Sequence, residues 1–170
     1  MSKAFVKEDT QDEPLFVPAR APLPAGTPNY VTARGLALLQ AERAELQGQR
    51  DQLEAKVDGD ERRQRLAALT QRIVELEARL ASAVLVEPGN QAADVVRFGA
   101  TVTLLTEDGA ERRYRIVGVD EADAAQGLVS FLAPIARAML GRQVDDVISL
   151  NTARGTETLE IVAISYDADE

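Results

Sequence analysis

The sequence predicts an α+β chain, in which an antiparallel helical coiled-coil hairpin precedes a compact unit built on a strongly bent antiparallel β-sheet with one short helix. Three observations carry this. Leu66, Leu69, Ile73, Leu76, Leu80 and Ala83 alternate at spacings of three and four, which places them on one stripe of a helix. Leu36, Leu39, Leu46, Leu53 and Val57 keep the same register, with Arg43 and Arg50 at the two missing positions. The polar turn between the stripes, at about 57–62, is too short for a parallel return, so the arms must fold back on each other.

Residues 1–28 hold five of the seven prolines (Pro14, Pro18, Pro22, Pro24, Pro28) and show neither a helical nor a strand period, so they read as a disordered or extended arm. Asn29-Tyr30-Val31 leads into Thr32, an N-cap candidate for the first arm. Residues 33–57 would make a helix of about 37 Å, with a partner of similar length over 61–84. Gly35 and Gly48 each weaken the first arm by about 1 kcal/mol relative to Ala. The stripes are narrow and the outer faces charged, which favours a projecting hairpin over one lying flat on its neighbour.

After Pro88-Gly89-Asn90 the period changes from helical to alternating. Residues 98–105 read as a strand, Glu107-Asp108-Gly109 as a turn and 113–119 as the returning strand. Further strands are expected over 127–132, 146–150 and 156–165. A short helix over 134–140 starts at Pro134 and stops at Gly141. The expected units are the arm at 1–28, the hairpin at 29–87 and the sheet unit at 88–170.

Composition narrows the function. The chain has no cysteine and no histidine, which removes thiolate metal sites, imidazole acid-base chemistry and most common hydrolase mechanisms. No apolar run is long enough to span a membrane, and the N-terminus lacks a signal-peptide core, so a cytoplasmic protein is expected. Of the net charge of −9, the hairpin at 33–84 carries nine basic and nine acidic residues, while 85–170 carry seven basic and fifteen acidic. An acidic sheet unit repels phosphate backbones, so nucleic acid would be met only indirectly, through another protein.

The strings FGATVTLL (98–105), YRIVGVDEAD (114–123) and PIARAMLG (134–141), in this order and spacing, resemble the bacterial GreA/GreB transcript-cleavage factors. The opening MSKAF and the later Asn29-Tyr30-Val31-Thr32 with Arg34-Gly35-Leu36 resemble the GreB branch in particular. The resemblance implies an FKBP-like C-terminal domain docked on the rim of the RNA polymerase secondary channel, with the hairpin inserted down the channel. It also implies a tip that offers two carboxylates to a second Mg²⁺ held jointly with the polymerase, the chain having no cofactor of its own. Mg²⁺ is a hard cation that takes carboxylate oxygen, and a two-metal site stabilises both the attacking and the leaving oxygen.

On this chain the tip candidates are Asp58, Asp60 and Glu61, with Asp60 and Glu61 as the metal pair. The pattern departs from the family at Arg63, where the second carboxylate, a glutamate, is expected, and in the absence of an Asn-Ala-Glu-Tyr run. Compared with the family the hairpin also lacks about fourteen residues, one heptad per arm, which shortens it by about 10 Å. The docking candidates are Ala133, Pro134, Ile135, Ala136 and Arg137. The expected protein is a monomeric, polymerase-binding elongation factor, not an enzyme in its own right. It would be either a cleavage stimulator or a cleavage-incompetent regulator like the short-hairpin Rnk type. The alternatives of other classes are a coiled-coil adaptor, against which Arg43 and Arg50 in the seam argue, and a prolyl isomerase, for which the sheet unit has too few aromatics.

Overall fold

A computed structural model describes residues 20–89 and 93–166. The expected arm therefore lies outside the described residues up to position 19, including Pro14, Pro18 and the MSKAF string. The rest of it, 20–28, runs over the hairpin base and turns at Pro24, whose carbonyl accepts from Thr27 N at 3.1 Å.

Strand β1 (Asn29–Val31) leads into helix α1 (Ala33–Glu54), and helix α2 (Asp60–Ala81) returns into strand β2 (Ala83–Leu85). Thr32 caps α1 as expected, its hydroxyl accepting from Gly35 N at 2.9 Å. Leu39, Leu46, Ile73 and Leu76 are buried along the seam, with Leu36, Leu69 and Leu80 packed beside them. Two expected seam residues fall outside the helices: Ala83 opens β2, where it still packs on the seam, and Val57 is lost from it. α1 stops at Glu54, so Val57 falls in the turn and is 94% exposed. Of the two seam arginines, Arg43 reaches across to Glu77 at 3.7 Å, and Arg50 stays on its own helix beside Glu54. Each arm is a helix of 22 residues, or about 33 Å. Neither arm packs along the larger sheet, so the hairpin projects.

β1 and β2 pair in parallel, Asn29 opposite Ala83, and so tie the two ends of the hairpin together. This pairing was not expected from the sequence. Asn29 reinforces it, its side-chain amide donating to the carbonyl of Arg79 at 2.9 Å.

The larger sheet is formed by β3 (Thr101–Thr106), β4 (Glu111–Val117), β5 (Leu128–Ser130), β6 (Val147–Thr152) and β7 (Gly155–Ser165), in the order β5-β4-β3-β7-β6. All five expected strands are present, with shifted ends. In β3 burial alternates strictly, with Val102 and Leu104 turned into the core, as a pleated strand with one buried face requires. The expectation of an all-antiparallel sheet needs correction: β4 and β5 pair in parallel, Arg115 opposite Leu128. The chain does not reverse directly after β4. It makes an excursion through 118–127, including a 3₁₀ turn at Ala124–Gln126, and re-enters the sheet in the same direction. Helix α3 (Pro134–Met139) packs against both β5 and β6, the opposite edges of the sheet, so the sheet curls around it. Ala136 and Met139 are completely buried there.

Candidate functional site

The tip consists of the end of α1, the turn 55–59 and the first turn of α2. Asp60 and Glu61 occupy that first turn, where carboxylates complement the positive end of the helix dipole. Successive helical positions do not face each other, so the two side chains diverge. Asp60 pairs with Arg63, Glu61 with Arg65 at 2.9 Å and Asp58 with Arg62 at 3.0 Å. Every expected tip carboxylate is thus matched to an arginine on α2, and the tip is electrically balanced. No group of three or more carboxylates that could hold a metal exists among the described residues. The donor set at Asp60 and Glu61 does not fit a shared Mg²⁺: two neighbouring carboxylates point apart, and each already has a cation.

Arg62 carries a role that sequence reasoning missed. Its Nε donates to the carbonyl of Leu53 at 2.8 Å and its Nη2 to that of Glu54 at 3.3 Å. A helix end leaves its last carbonyls short of partners, and here the other arm supplies a donor to Glu54 and a second one to Leu53, which also accepts from Lys56 N at 3.2 Å. Asp58 completes the clasp, accepting from Gly59 N at 2.9 Å as well as from Arg62. The signal available in the sequence was Arg62 itself, placed directly after a polar turn.

The expected docking residues divide by burial. Pro134 and Arg137 are exposed on α3, Ala133 and Ile135 are half-buried, and Ala136 lies in the core, where no partner can touch it. Ile135 and Leu140 pack on the core beside Met139.

A further polar cluster, not anticipated, lies where the hairpin meets the sheet. The excursion after β4 brings Gly118 against β1 so closely that a Cβ there would sit 2.6 Å from the Tyr30 carbonyl oxygen. It then delivers Asp120 and Glu121 to the helices. Glu121, its side chain 1% exposed, accepts from the Thr32 hydroxyl at 2.6 Å and from Arg34 at 3.1 Å. Asp120 accepts from Arg20 at 2.7 Å and lies 3.3 Å from Arg79 Nε, close enough for an ion pair although not aligned as a hydrogen bond. Arg20 also reaches both carboxylate oxygens of Glu42 at 2.7 Å. Partial burial disfavours the Arg20 charge, but the hydrogen bonds to Glu42 and Asp120 outweigh it, and the guanidinium holds its proton more firmly than usual. Beside this cluster Tyr30, Phe98 and Phe131 form a tilted, edge-on trio with ring centroids 5.5 to 5.7 Å apart, an arrangement favoured by the ring quadrupoles. The cluster joins two strings singled out in the sequence, Asn29 to Gly35 and the Gly118-to-Asp123 end of the second motif.

Residues 91–166 match the family model described as "Transcription elongation factor, GreA/GreB, C-term". The chain is 42% identical over 105 residues to transcription elongation factor GreB of Neisseria meningitidis serogroup B, covering 61% of this chain and 64% of that protein's length. It is 35% identical over 150 residues to transcription elongation factor GreA of Desulfovibrio desulfuricans, covering 80% of this chain and 93% of that protein. Among solved structures, the GreA/GreB elongation factor of Nitrosomonas europaea aligns over 81% of this chain and 98% of its own, at 23% identity and a TM-score of 0.42. On the strength of the Desulfovibrio alignment, which spans nearly the whole of that protein, the chain belongs to the GreA/GreB family of transcription elongation factors.

Proposed function

We propose that this protein binds RNA polymerase at the rim of its secondary channel and regulates elongation by occupying the channel with a short hairpin, without supplying metal ligands to the polymerase active site. In this reading the sheet unit at 88–170 docks through Pro134 and Arg137, the hairpin at 29–87 enters the channel, and the protein works as a cytoplasmic monomer. The observation that carries it is the tip: Asp58, Asp60 and Glu61 are each neutralised by an arginine, and Asp60 and Glu61 diverge. Carboxylate-metal contacts need oxygens within about 2.1 Å of Mg²⁺. A rod about 10 Å shorter than the family's, with no convergent oxygens at its end, is poorly suited to that contact. It remains suited to filling a channel, since the projecting arms are balanced in charge and self-supporting.

The test is RNA cleavage by a stalled, backtracked elongation complex, run beside a binding control. Binding with unchanged or slowed cleavage is expected. Accelerated cleavage that disappears in the Asp60→Ala, Glu61→Ala double variant would instead make the protein a cleavage stimulator. Absence of binding would favour a coiled-coil adaptor instead.

A further inference from the structure

We infer that Arg20 is a positioning residue for the hairpin, and that the segment 20–27 is a strap fixing the angle at which the hairpin stands on the sheet. Arg20 and the residue after it together touch three parts of the molecule. Its guanidinium holds Glu42 on α1 and Asp120 on the excursion after β4, while the next carbonyl, that of Ala21, accepts from Arg79 near the end of α2. The other contacts of the joint lie close to one pivot. Thr32 with Glu121, Asp120 with Arg79, whose carbonyl accepts from Asn29, Tyr30 against Gly118, and the trio of Tyr30, Phe98 and Phe131 all sit at or beside β1. Contacts near a pivot resist rotation weakly. Glu42 is ten residues beyond Thr32, about 15 Å along the helix, so the Arg20 bridge acts at a distance where a small rotation becomes a large displacement.

The charges distinguish positioning from mere stability. Without Arg20, Asp120 keeps Arg79 at 3.3 Å and Glu42 keeps Arg72 at 3.6 Å, so neither carboxylate is left bare. Loss of Arg20 therefore releases the angle with little loss of folding. The inference concerns the free chain; its importance for transcription rests on the channel-occupying reading above.

Because the chain has no cysteine, paired spin labels can be placed at Gln52→Cys near the tip and Ala153→Cys at the β6–β7 turn, both exposed. The interspin distance distribution is then read by electron double resonance, with a thermal melt of each variant. A narrow distribution is expected for the parent and for Arg43→Ala, whose ion pair lies within the hairpin. A distribution about twice as wide is expected for Arg20→Ala and for deletion of residues 1–21, with the melting midpoint nearly unchanged. An unchanged width in Arg20→Ala overturns the inference. So does a broadening matched by a large fall in melting midpoint, which would make Arg20 merely structural. If Arg20→Ala broadens the distribution while the parent fails to bind polymerase, the strap stands and the proposed function falls.

Discussion

Two glycines in one helix show how far a residue's meaning depends on what stands opposite it. Gly35 and Gly48 look alike in the sequence, each a weak point in α1. Gly48 faces open space, whereas a Cβ on Gly35 would lie 2.7 Å from Glu121 Oε2, a carboxylate held in place by Thr32 and Arg34. Opposite signs follow. Gly48→Ala is expected to raise unfolding stability by up to about 1 kcal/mol. Gly35→Ala is expected to lower it despite the same gain in helix propensity, and urea denaturation of the two variants checks this. Thr32 serves twice, accepting from Gly35 N and donating to Glu121. Thr32→Val is therefore expected to cost about 2 to 4 kcal/mol, the sum of a lost N-cap and a buried carboxylate left short of a donor. The cap was legible in the sequence. Its partner 89 residues away was not, because nothing local indicates which buried carboxylate a hydroxyl will meet.

At the scale of elements, the hairpin was legible from its heptads because a seam repeats, and repetition is visible in one dimension. Its tip was less so. Val57 keeps the heptad register yet lies outside the helix, since α1 ends where Arg62 closes it. Removing that clasp takes from the Glu54 carbonyl its Arg62 donor and leaves that of Leu53 with Lys56 N alone. Arg62→Ala is expected to speed amide exchange over the last turn of α1 and the turn 55–59, with the base of the hairpin unaffected; uniform exchange in parent and variant would contradict the clasp. The sheet was legible as five alternating strands, but the direction of β5 was not. Alternation shows which face a strand buries and says nothing of whether its neighbour runs with it. The parallel pairing arises from the excursion that carries Asp120 and Glu121 to the helices, a requirement set by another part of the molecule.

For the whole molecule, the arrangement separates a projecting rod from the exposed residues of α3, the proposed docking surface. If the exposed residues of α3 hold the polymerase, Pro134→Ala with Arg137→Glu is expected to weaken binding at least tenfold. Asp60→Ala with Glu61→Ala should leave it within about twofold, since the weak exposed ion pairs they break lie within the tip and are lost from free and bound protein alike. Titration of fluorescently labelled protein against polymerase compares them, and equal losses would contradict the division of labour. The order of the strands has one more consequence, for the chain as it is made. β7, the last of the described elements, lies between β3 and β6 in the sheet, whereas the hairpin is complete by Leu85. Domains form as units, N-terminal first, while synthesis proceeds. The rod can therefore assemble on the ribosome from neighbouring segments. The sheet must wait with β3 and β4 already made but one flank open, until the final strand emerges to fill its middle. Glu121, on the excursion just after β4, meets a rod that is already complete.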